Sequence, residues 1–202
     1  MEILNISLKS KRNANIFIIS TDVGEFEMHS DIIVKNNIKV GVVNDNYFYN
    51  SVNESAEIIA FNLCVKYISS KIKTEQQIKD YLYKHNYHKN VVDVVIQKLK
   101  EYKIIDDKMY AETYIRSNSK FSKNKVKQKL LIAGVKNDLI LDSTNEINDQ
   151  ESCVYHAEKY LRNKEINKQT LEKLFRRLTS MGYNWETIKS TLNKLKCDME
   201  EE

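Results

Sequence analysis

A spacing of 48 residues, found twice in succession, constrains this chain more than any other feature. Thr74, Ser122 and Thr170 are each followed by hydrophobic residues at offsets of four, eight and thirteen. Offsets of four and eight place side chains on one face of an α-helix, and Ser or Thr is a favoured residue at a helix N-cap. The spacing therefore predicts three copies of one helical repeat, which bury a continuous core when they stack.

The end and the beginning of each repeat follow the same pattern. The residue at offset twelve is one that tolerates the left-handed conformation closing a helix: Asn86, Gly134 or Gly182. Each N-cap is preceded by a small residue and, three positions after that residue, a tyrosine. The small residue is Cys64, Ala111 or Ala157. The segment after offset thirteen is again helical in its periodicity. Each repeat is therefore predicted to hold three helices of about twelve residues.

The first 29 residues follow a period of two instead. Ile6 and Leu8 alternate with polar residues, turn-forming segments lie at 11–15 and 21–24, and Phe26 alternates with its neighbours again. This pattern is typical of a short antiparallel meander. Ser30 is predicted to cap a short helix over 31–36, and Gly41 is predicted to lie in the loop after it.

The glycine and proline content agrees with this division. The chain has four glycines and no proline, too few for the corners of a β-sandwich. From Asn53 onward the periodicity is helical. The predicted fold is mainly α, with three tandem three-helix repeats after a small N-terminal β-rich segment. The predicted segments are 1–53, 54–106, 107–147 and 148–202.

An acidic pair, Asp106 and Asp107, is the strongest candidate for catalysis. General acid/base or metal chemistry requires a third carboxylate or a histidine nearby, and the sequence offers no obvious partner. The preferred interpretation is that Asp106 and Asp107 cap and stabilise the start of a helix, as Thr74, Ser122 and Thr170 do in the repeats. No catalytic residue is predicted.

Metal and cofactor sites are also not predicted. His85 and His88 have a usable spacing, but Asn86 predicts a helix end between them. Cys153 and His156 are interpreted as a packed thiol beside a surface histidine. Without a signal peptide or a membrane-length apolar run, the expected setting is the cytosol, where three distant cysteines stay reduced. They are Cys64, Cys153 and Cys197.

The basic charge is concentrated in the middle repeat. Residues 113–137 contain no Asp or Glu, but they contain seven basic residues: Arg116, Lys120, Lys123, Lys125, Lys127, Lys129 and Lys136. A smaller group in the third repeat comprises Lys173, Arg176 and Arg177. The functional interpretation is a surface for a polyanion, either an acidic protein or DNA phosphates, and the alternative is an ordinary solvated lysine face. The excess of lysine over arginine favours non-specific attraction over base reading.

Aromatic residues leave two interpretations open. Tyr67, Tyr114 and Tyr160 recur at one position of the repeat, where core packing is favoured over base stacking. Trp185 follows the turn of the third repeat and is expected either to cover the core or to be exposed as an anchor.

These residues resemble the RecX family, the regulators of the RecA recombinase. The resemblance is carried by the repeat entry at 64–78, by the paired aspartates followed by Tyr110 and Ala111, and by the repeat endings at 126–135 and 178–183. The stretch 24–31 is similar to the β-rich N-terminus of longer members. Three features depart from the family pattern: Lys71 stands where arginine is commoner, Phe121-Ser122 replaces a common Gly-Pro, and Met181 stands where a basic residue is often found.

The resemblance implies a cytosolic protein of DNA repair and the SOS response, without catalysis. It implies that the chain binds RecA filaments and restrains their activity. The basic residues add the expectation of non-specific contacts to single- or double-stranded DNA. A monomer is expected. A helical DNA-binding protein that acts without RecA is the alternative, although Asp138 and Asp142 do not suit a recognition helix. A generic armadillo-like adaptor fits the period but not the paired aspartates.

Overall fold

The computed structural model describes residues 1–11 and 13–200, with side chains through residue 195. It is mainly helical, with an antiparallel sheet at the N-terminus, which confirms the predicted fold class. The chain divides into two compact units, Met1–Ile105 (the first unit) and Asp106–Glu202 (the second unit).

The sheet of the first unit has four antiparallel strands in the order β3-β2-β1-β4. The strands are β1 (Glu2–Ser10), β2 (Asn13–Thr21), β3 (Gly24–His29) and β4 (Gly41–Val42). Alternation along them buries Ile3, Ile19 and Met28 on one face. The short fourth strand differs from the prediction of a loop at Gly41, because Glu2 and Ile3 pair with it.

Two helices follow the sheet, and neither begins where the sequence predicted. Helix α1 (Ser30–Lys35) is capped by His29, whose Nδ1 accepts from the Asp31 N–H, so the prediction of Ser30 as the cap was wrong. Helix α2 (Asp45–Ile68) begins well before Asn53, because the Asn44 side chain caps it. The predicted boundary between residues 53 and 54 therefore falls inside a helix.

Helix α2 serves two cores. Its first half brings Phe48 into the sheet core with Ile3 and Met28. Its second half brings Ala60 and Cys64 into the core of the first repeat. That core also contains side chains of α3 (Glu75–Lys84) and α4 (Lys89–Glu101).

The second unit holds six helices in its described residues. They are α5 (Asp107–Ser117), α6 (Lys123–Ile132), α7 (Asn137–Ser143), α8 (Asp149–Leu161), α9 (Lys168–Ser180) and α10 (Trp185–Glu200). Val126 and Leu130 belong to one core, and Leu174 and Leu178 belong to the other. The partly buried Phe121 packs against both cores and links them.

The predicted left-handed helix ends are confirmed in all three repeats. Asn86, Gly134 and Gly182 have φ angles of 62°, 85° and 93°. The N–H of each following residue bonds to a carbonyl five positions back, as in the bond from Tyr87 to Leu82. This is the Schellman arrangement, which satisfies carbonyls at the helix end and turns the next hydrophobic residue inward.

The helix starts match the prediction at three positions and not at a fourth. Thr74, Asp106 and Ser122 are the N-caps of α3, α5 and α6. Thr170 is not an N-cap, because α9 begins almost a turn earlier at Lys168. Asn167 caps that helix, and its side chain accepts from the N–H of Thr170 at 2.9 Å.

Candidate anion-binding surface

The middle and third repeats meet where the start of α6 contacts the end of α9. The N–H of Ser122 bonds to the carbonyl of Met181 at 3.0 Å. The buried Ser122 hydroxyl donates to the carbonyl of Gly182 at 2.6 Å and accepts from the N–H of Lys125 at 3.3 Å. A Cβ on Gly182 would lie 2.7 Å from the Cβ of Lys125, so only glycine fits.

Two of the predicted binding lysines hold this contact together. The Lys123 N–H bonds to Asp149 Oδ1 at 2.7 Å, and its Nζ bonds to the carbonyl of Asn145 at 3.3 Å. The Lys125 Nζ bonds to the carbonyl of Ser180 and lies 4.5 Å from the centre of the Phe121 ring. Both side chains are only partly exposed, so we assign them first to the joint between the repeats.

The same joint brings together the two basic groups identified in the sequence. Burial lowers the pKa of His156, and the positive charges of Lys159, Arg177 and Lys120 lower it further, against a hydrogen bond with the Ser119 backbone that raises it. Lys120 comes from the first group and Arg177 from the second. The Tyr183 hydroxyl donates to the Lys120 carbonyl at 3.3 Å and fixes the loop.

We call Lys120, His156, Lys159 and Arg177 the junction surface. Aromatic rings hold its cations in place: Arg177 lies 5.6 Å from the centre of the Tyr160 ring, and Lys159 lies 5.8 Å from that of Tyr155. Lys164 lies over the same Tyr160 ring at 3.3 Å. A ring orients a cation without cancelling its charge.

No cation of the junction surface forms an ion pair with a described side chain. Their charge therefore stays available to an anion from outside. The arrangement suits a polyanion better than a small enclosed ligand, since Lys120, Lys159 and Arg177 are all exposed.

The remaining predicted basic residues lie elsewhere in the second unit. Arg116 lines a cleft between α5 and α7 with the carboxylates of Glu112, Asp142 and Glu146, which weakens its case as an anion ligand. Lys129 is exposed and Lys127 is partly exposed on α6, and Lys136 is exposed at the N-cap of α7. Two further exposed cations lie on α9, namely Lys173 and Arg176.

The recurring tyrosines are partly buried and stack within the protein. Tyr67 stacks on Tyr81 with ring centres 3.9 Å apart, and Tyr114 lies parallel to Tyr110 at 6.5 Å. Trp185 is 61% exposed and contacts Phe175 edge to face, so it does not cover the core.

The paired aspartates, His85 and His88, which were considered for catalysis or metal binding, lie at helix ends. Asp106 accepts hydrogen bonds from the N–H groups of Lys108 at 2.8 Å and Met109 at 3.1 Å, as a helix cap does. His85 ends α3 and His88 precedes α4, so they share no helix face. The described residues contain no group of three His, Cys, Asp or Glu side chains placed to hold a metal.

Two of the cysteines are buried thiols with raised pKa values. Burial raises the pKa of Cys64 to about 12, and it also raises the pKa of Cys153. Both are free and buried, while the side chain of Cys197 lies outside the described part of the chain. Within that part, no helix is both long and apolar enough to cross a membrane.

Sequence reasoning missed the main residue of the junction surface. It treated His156 only as a neighbour of Cys153 and gave no role to Lys159 or Lys164. The spacing of His156, Lys159 and Tyr160 does place them on one side of a helix. The charges that surround His156 come from α9 and from the loop before α6, and that proximity is a tertiary feature.

Comparison with known proteins gives a consistent family. The family model of the RecX first three-helix domain matches residues 60–99. Regulatory protein RecX of Clostridium tetani is 32% identical over 204 residues, which cover 95% of this chain and 92% of that protein. Regulatory protein RecX of Clostridium botulinum strain Eklund 17B is 30% identical over 200 residues, covering 95% and 93%.

Two solved structures share the fold. A crystal structure of regulatory protein RecX has a TM-score of 0.63 and 19% identity, and the match covers 95% of this chain and 98% of that one. The crystal structure of RecX from Lactobacillus salivarius has a TM-score of 0.59 and 22% identity, with coverage of 70% and 97%. At these identities the similarity establishes the fold alone.

Proposed function

The chain belongs to the RecX family of regulatory proteins, and from this premise we propose that it binds RecA and RecA–DNA filaments and inhibits recombinase activity in DNA repair. The observation that carries the proposal is 32% identity to a regulatory protein RecX along 95% of the chain. We place the protein in the cytoplasm, as a monomer without catalytic activity. We also propose the division into segments 1–53, 54–106, 107–147 and 148–202, with helix α2 shared between the first two segments.

The distribution of charge supports this function. A RecA–DNA filament offers acidic side chains and phosphates, and the second unit carries exposed cations on α6 and α9 and on the loop before α6. Several weak contacts along a filament add up through multivalency, so no single cation needs to bind tightly. Contacts of this kind hinder ATP turnover or filament growth without any chemistry by the regulator.

The direct test is RecA ATPase activity on single-stranded DNA with increasing amounts of the protein. We expect the rate to fall as the protein approaches the concentration of RecA. An unchanged rate across a wide range of concentrations contradicts the proposal.

Charge-reversal variants refine this test. Lys127→Glu with Lys129→Glu reverses two α6 cations that make no ion pair with a described side chain, and inhibition should weaken several-fold at low salt. Lys123 and Lys125 need a separate variant, because changing them also disturbs contacts to Asn145 and Ser180. The matched control is Lys189→Glu with Lys194→Glu on α10.

DNA binding without RecA is the second candidate function, favoured by the cations of the junction surface. It predicts tight binding to duplex DNA in the absence of RecA, with affinity that falls steeply as salt rises. Retained DNA binding together with unchanged RecA activity would select this alternative.

A further inference from the structure

Three elements converge at the junction surface, and each is fixed in place. Lys120 lies on the loop before α6, whose backbone is held by Tyr183 and Ser122. His156 and Lys159 lie on α8, and Arg177 lies on α9 over the ring of Tyr160. The backbone that carries these groups is therefore held in place before any ligand arrives, which lowers the ordering cost of binding.

Cations from three elements act on the partly buried His156. Lys159 acts from its own helix, Arg177 from α9 and Lys120 from the loop. The Tyr155 ring contacts His156 edge to face at 5.1 Å. Two of the carboxylates of α8 line clefts: Glu158 lines a cleft with Lys194 of α10, and Glu151 lines that cleft and a second one that contains Ser119.

Such a site responds to an anion in a predictable way. In the free protein, burial and three positive charges favour the neutral imidazole. An anion that neutralises those charges removes the repulsion, and the imidazole then gains a proton. By linkage, the same anion binds more tightly as the pH falls.

The exposed and open arrangement indicates the kind of anion. The cations are distributed over three elements rather than gathered in a pocket, which suits a linear chain with regularly spaced charges. Tyr160 is partly buried beneath Lys164 and Arg177, so its ring is not free to stack on bases. The surface thus fits a phosphate backbone read by charge and not by sequence.

We propose that the junction surface binds the phosphate backbone of a nucleic acid and takes up a proton at His156 when it does so. This inference deepens the proposed function, because it assigns the contact with DNA to the joint of the middle and third repeats. The α6 cations Lys127 and Lys129 are then left for contacts with protein.

The first test follows the His156 ring by NMR while an oligothymidylate is added at constant salt. We expect the pKa of His156 to lie below 6.5 in the free protein and to rise when the oligonucleotide binds. The other three histidines identify themselves by remaining in the spectrum of His156→Gln. A pKa of His156 that stays the same at saturating oligonucleotide overturns the proposal.

The second test measures oligothymidylate affinity by fluorescence anisotropy from about pH 8 to pH 5.5, where histidine titrates. Wild-type affinity should increase by several-fold up to about tenfold, since one pKa unit corresponds to a factor of ten. His156→Gln keeps a donor for the Ser119 backbone but cannot gain a proton, so its affinity should change much less. A wild-type pH dependence matched by His156→Gln contradicts proton uptake at this residue.

Two further variants, Arg177→Gln and Lys189→Gln, test whether binding depends on the junction surface or only on net charge. Arg177→Gln should weaken binding and reduce the salt slope by about 0.7, the value for one phosphate of a single strand. Lys189→Gln removes the same charge from α10 and should leave both the affinity and the salt slope unchanged. Equal losses in the two variants would show attraction by net charge only and overturn the site.

Polyglutamate serves as the probe for an acidic protein partner. If polyglutamate binds as tightly as oligothymidylate and shifts the His156 pKa equally, the assignment to nucleic acid is wrong. RecA inhibition is measured in parallel on His156→Gln. Inhibition that persists while oligothymidylate fails to bind the junction surface refutes this inference and leaves the proposed function intact.

Discussion

Three paired lysines of the first unit and the cations at the repeat joint of the second unit are held in place by different means. In the first unit, Glu75 pairs with Lys79 at 2.7 Å and with Lys100 at 2.6 Å, and Glu57 pairs with Lys98 at 2.9 Å. In the second unit, the cations described above rest on tyrosine rings or on backbone carbonyls. A carboxylate cancels a charge, whereas a ring or a carbonyl only positions it. Lysines of the two units thus differ in whether a carboxylate neutralises them, as for Lys79, Lys98 and Lys100, or their charge stays available, as for Lys159.

The largest expected effect breaks the repeat joint of the second unit. Gly182→Ala should destabilise it by roughly 2–4 kcal/mol, because a Cβ meets Lys125 and Ser122 at a φ of 93°. Urea unfolding followed by Trp185 fluorescence reports this unit, since Trp185 is the single tryptophan of the chain. Asn86→Ala is the counterpart in the first unit, with an expected cost of about 1 kcal/mol. Equal losses of stability in Gly182→Ala and Asn86→Ala would contradict the inference that the repeat joint is packed more tightly than the helix end at Asn86.

Ser122→Ala should cost about 1–2 kcal/mol in the same measurement. The substitution removes the cap of α6 and leaves the Gly182 carbonyl without its hydroxyl donor in a buried place. Asn148→Ala is a suitable control, because Asn148 caps α8 from an exposed position and should cost about 1 kcal/mol or less.

Alkaline pH distinguishes Tyr183 from its phenylalanine variant. Burial raises the pKa of Tyr183 to about 12, from an ordinary value of 10.0, so folding favours the neutral phenol. Its contribution is fully present below pH 10 and is lost as the pH rises toward about 12. Tyr183→Phe should cost about 0.5–1.5 kcal/mol near pH 7 and should flatten this decline. Tyr87→Phe tests the equivalent position of the first unit, where burial also raises the pKa.

A smaller effect concerns the paired carboxylate of the first unit. Burial alone would raise the pKa of Glu75, but the hydrogen bonds from Lys100 and Lys79 lower it overall. Its contribution is therefore present above pH 4.5 and is lost as the pH falls through the lowered pKa. Glu75→Gln should cost less than about 1 kcal/mol, and added salt should shrink that cost.

A matched change in the second unit sharpens the comparison of charges. Lys159→Gln should leave stability nearly unchanged, because this exposed cation forms no ion pair with a described side chain. A loss of stability as large as that of Glu75→Gln would contradict the distinction between neutralised and available lysines. Thermal unfolding at low and high salt measures both variants.

Local periodicity predicted the helices and their ends well. The offsets from Thr74 and Ser122 located α3 and α6, and Asn86 and Gly182 marked left-handed helix ends. Such features depend on neighbours within a few residues, so the sequence contains them directly. The same reasoning wrongly predicted Thr170 as an N-cap, because the repeat spacing does not show that α9 has additional residues at its N-terminus.

Features that depend on distant contacts were not predictable in this way. The strand at Gly41 forms because β1 offers an edge, and α2 begins at Asp45 because Phe48 has a sheet to cover. The basic residues were found as two separate groups. Contacts between distant residues, such as that of Ser122 with Gly182, place Lys120 near Arg177 and His156.

That contact has a consequence for how the protein emerges during its synthesis. Ser122 and Gly182 are separated by 60 positions. The Ser122 hydroxyl at the start of α6 therefore lacks its acceptor, the Gly182 carbonyl, until the third repeat has been translated. At about 5–20 residues per second, the interval is roughly 3–12 s. During that time Phe121 has only the core of its own repeat to contact. The nascent middle repeat is thus an incomplete intermediate, open to chaperones and proteases until the last repeat leaves the ribosome.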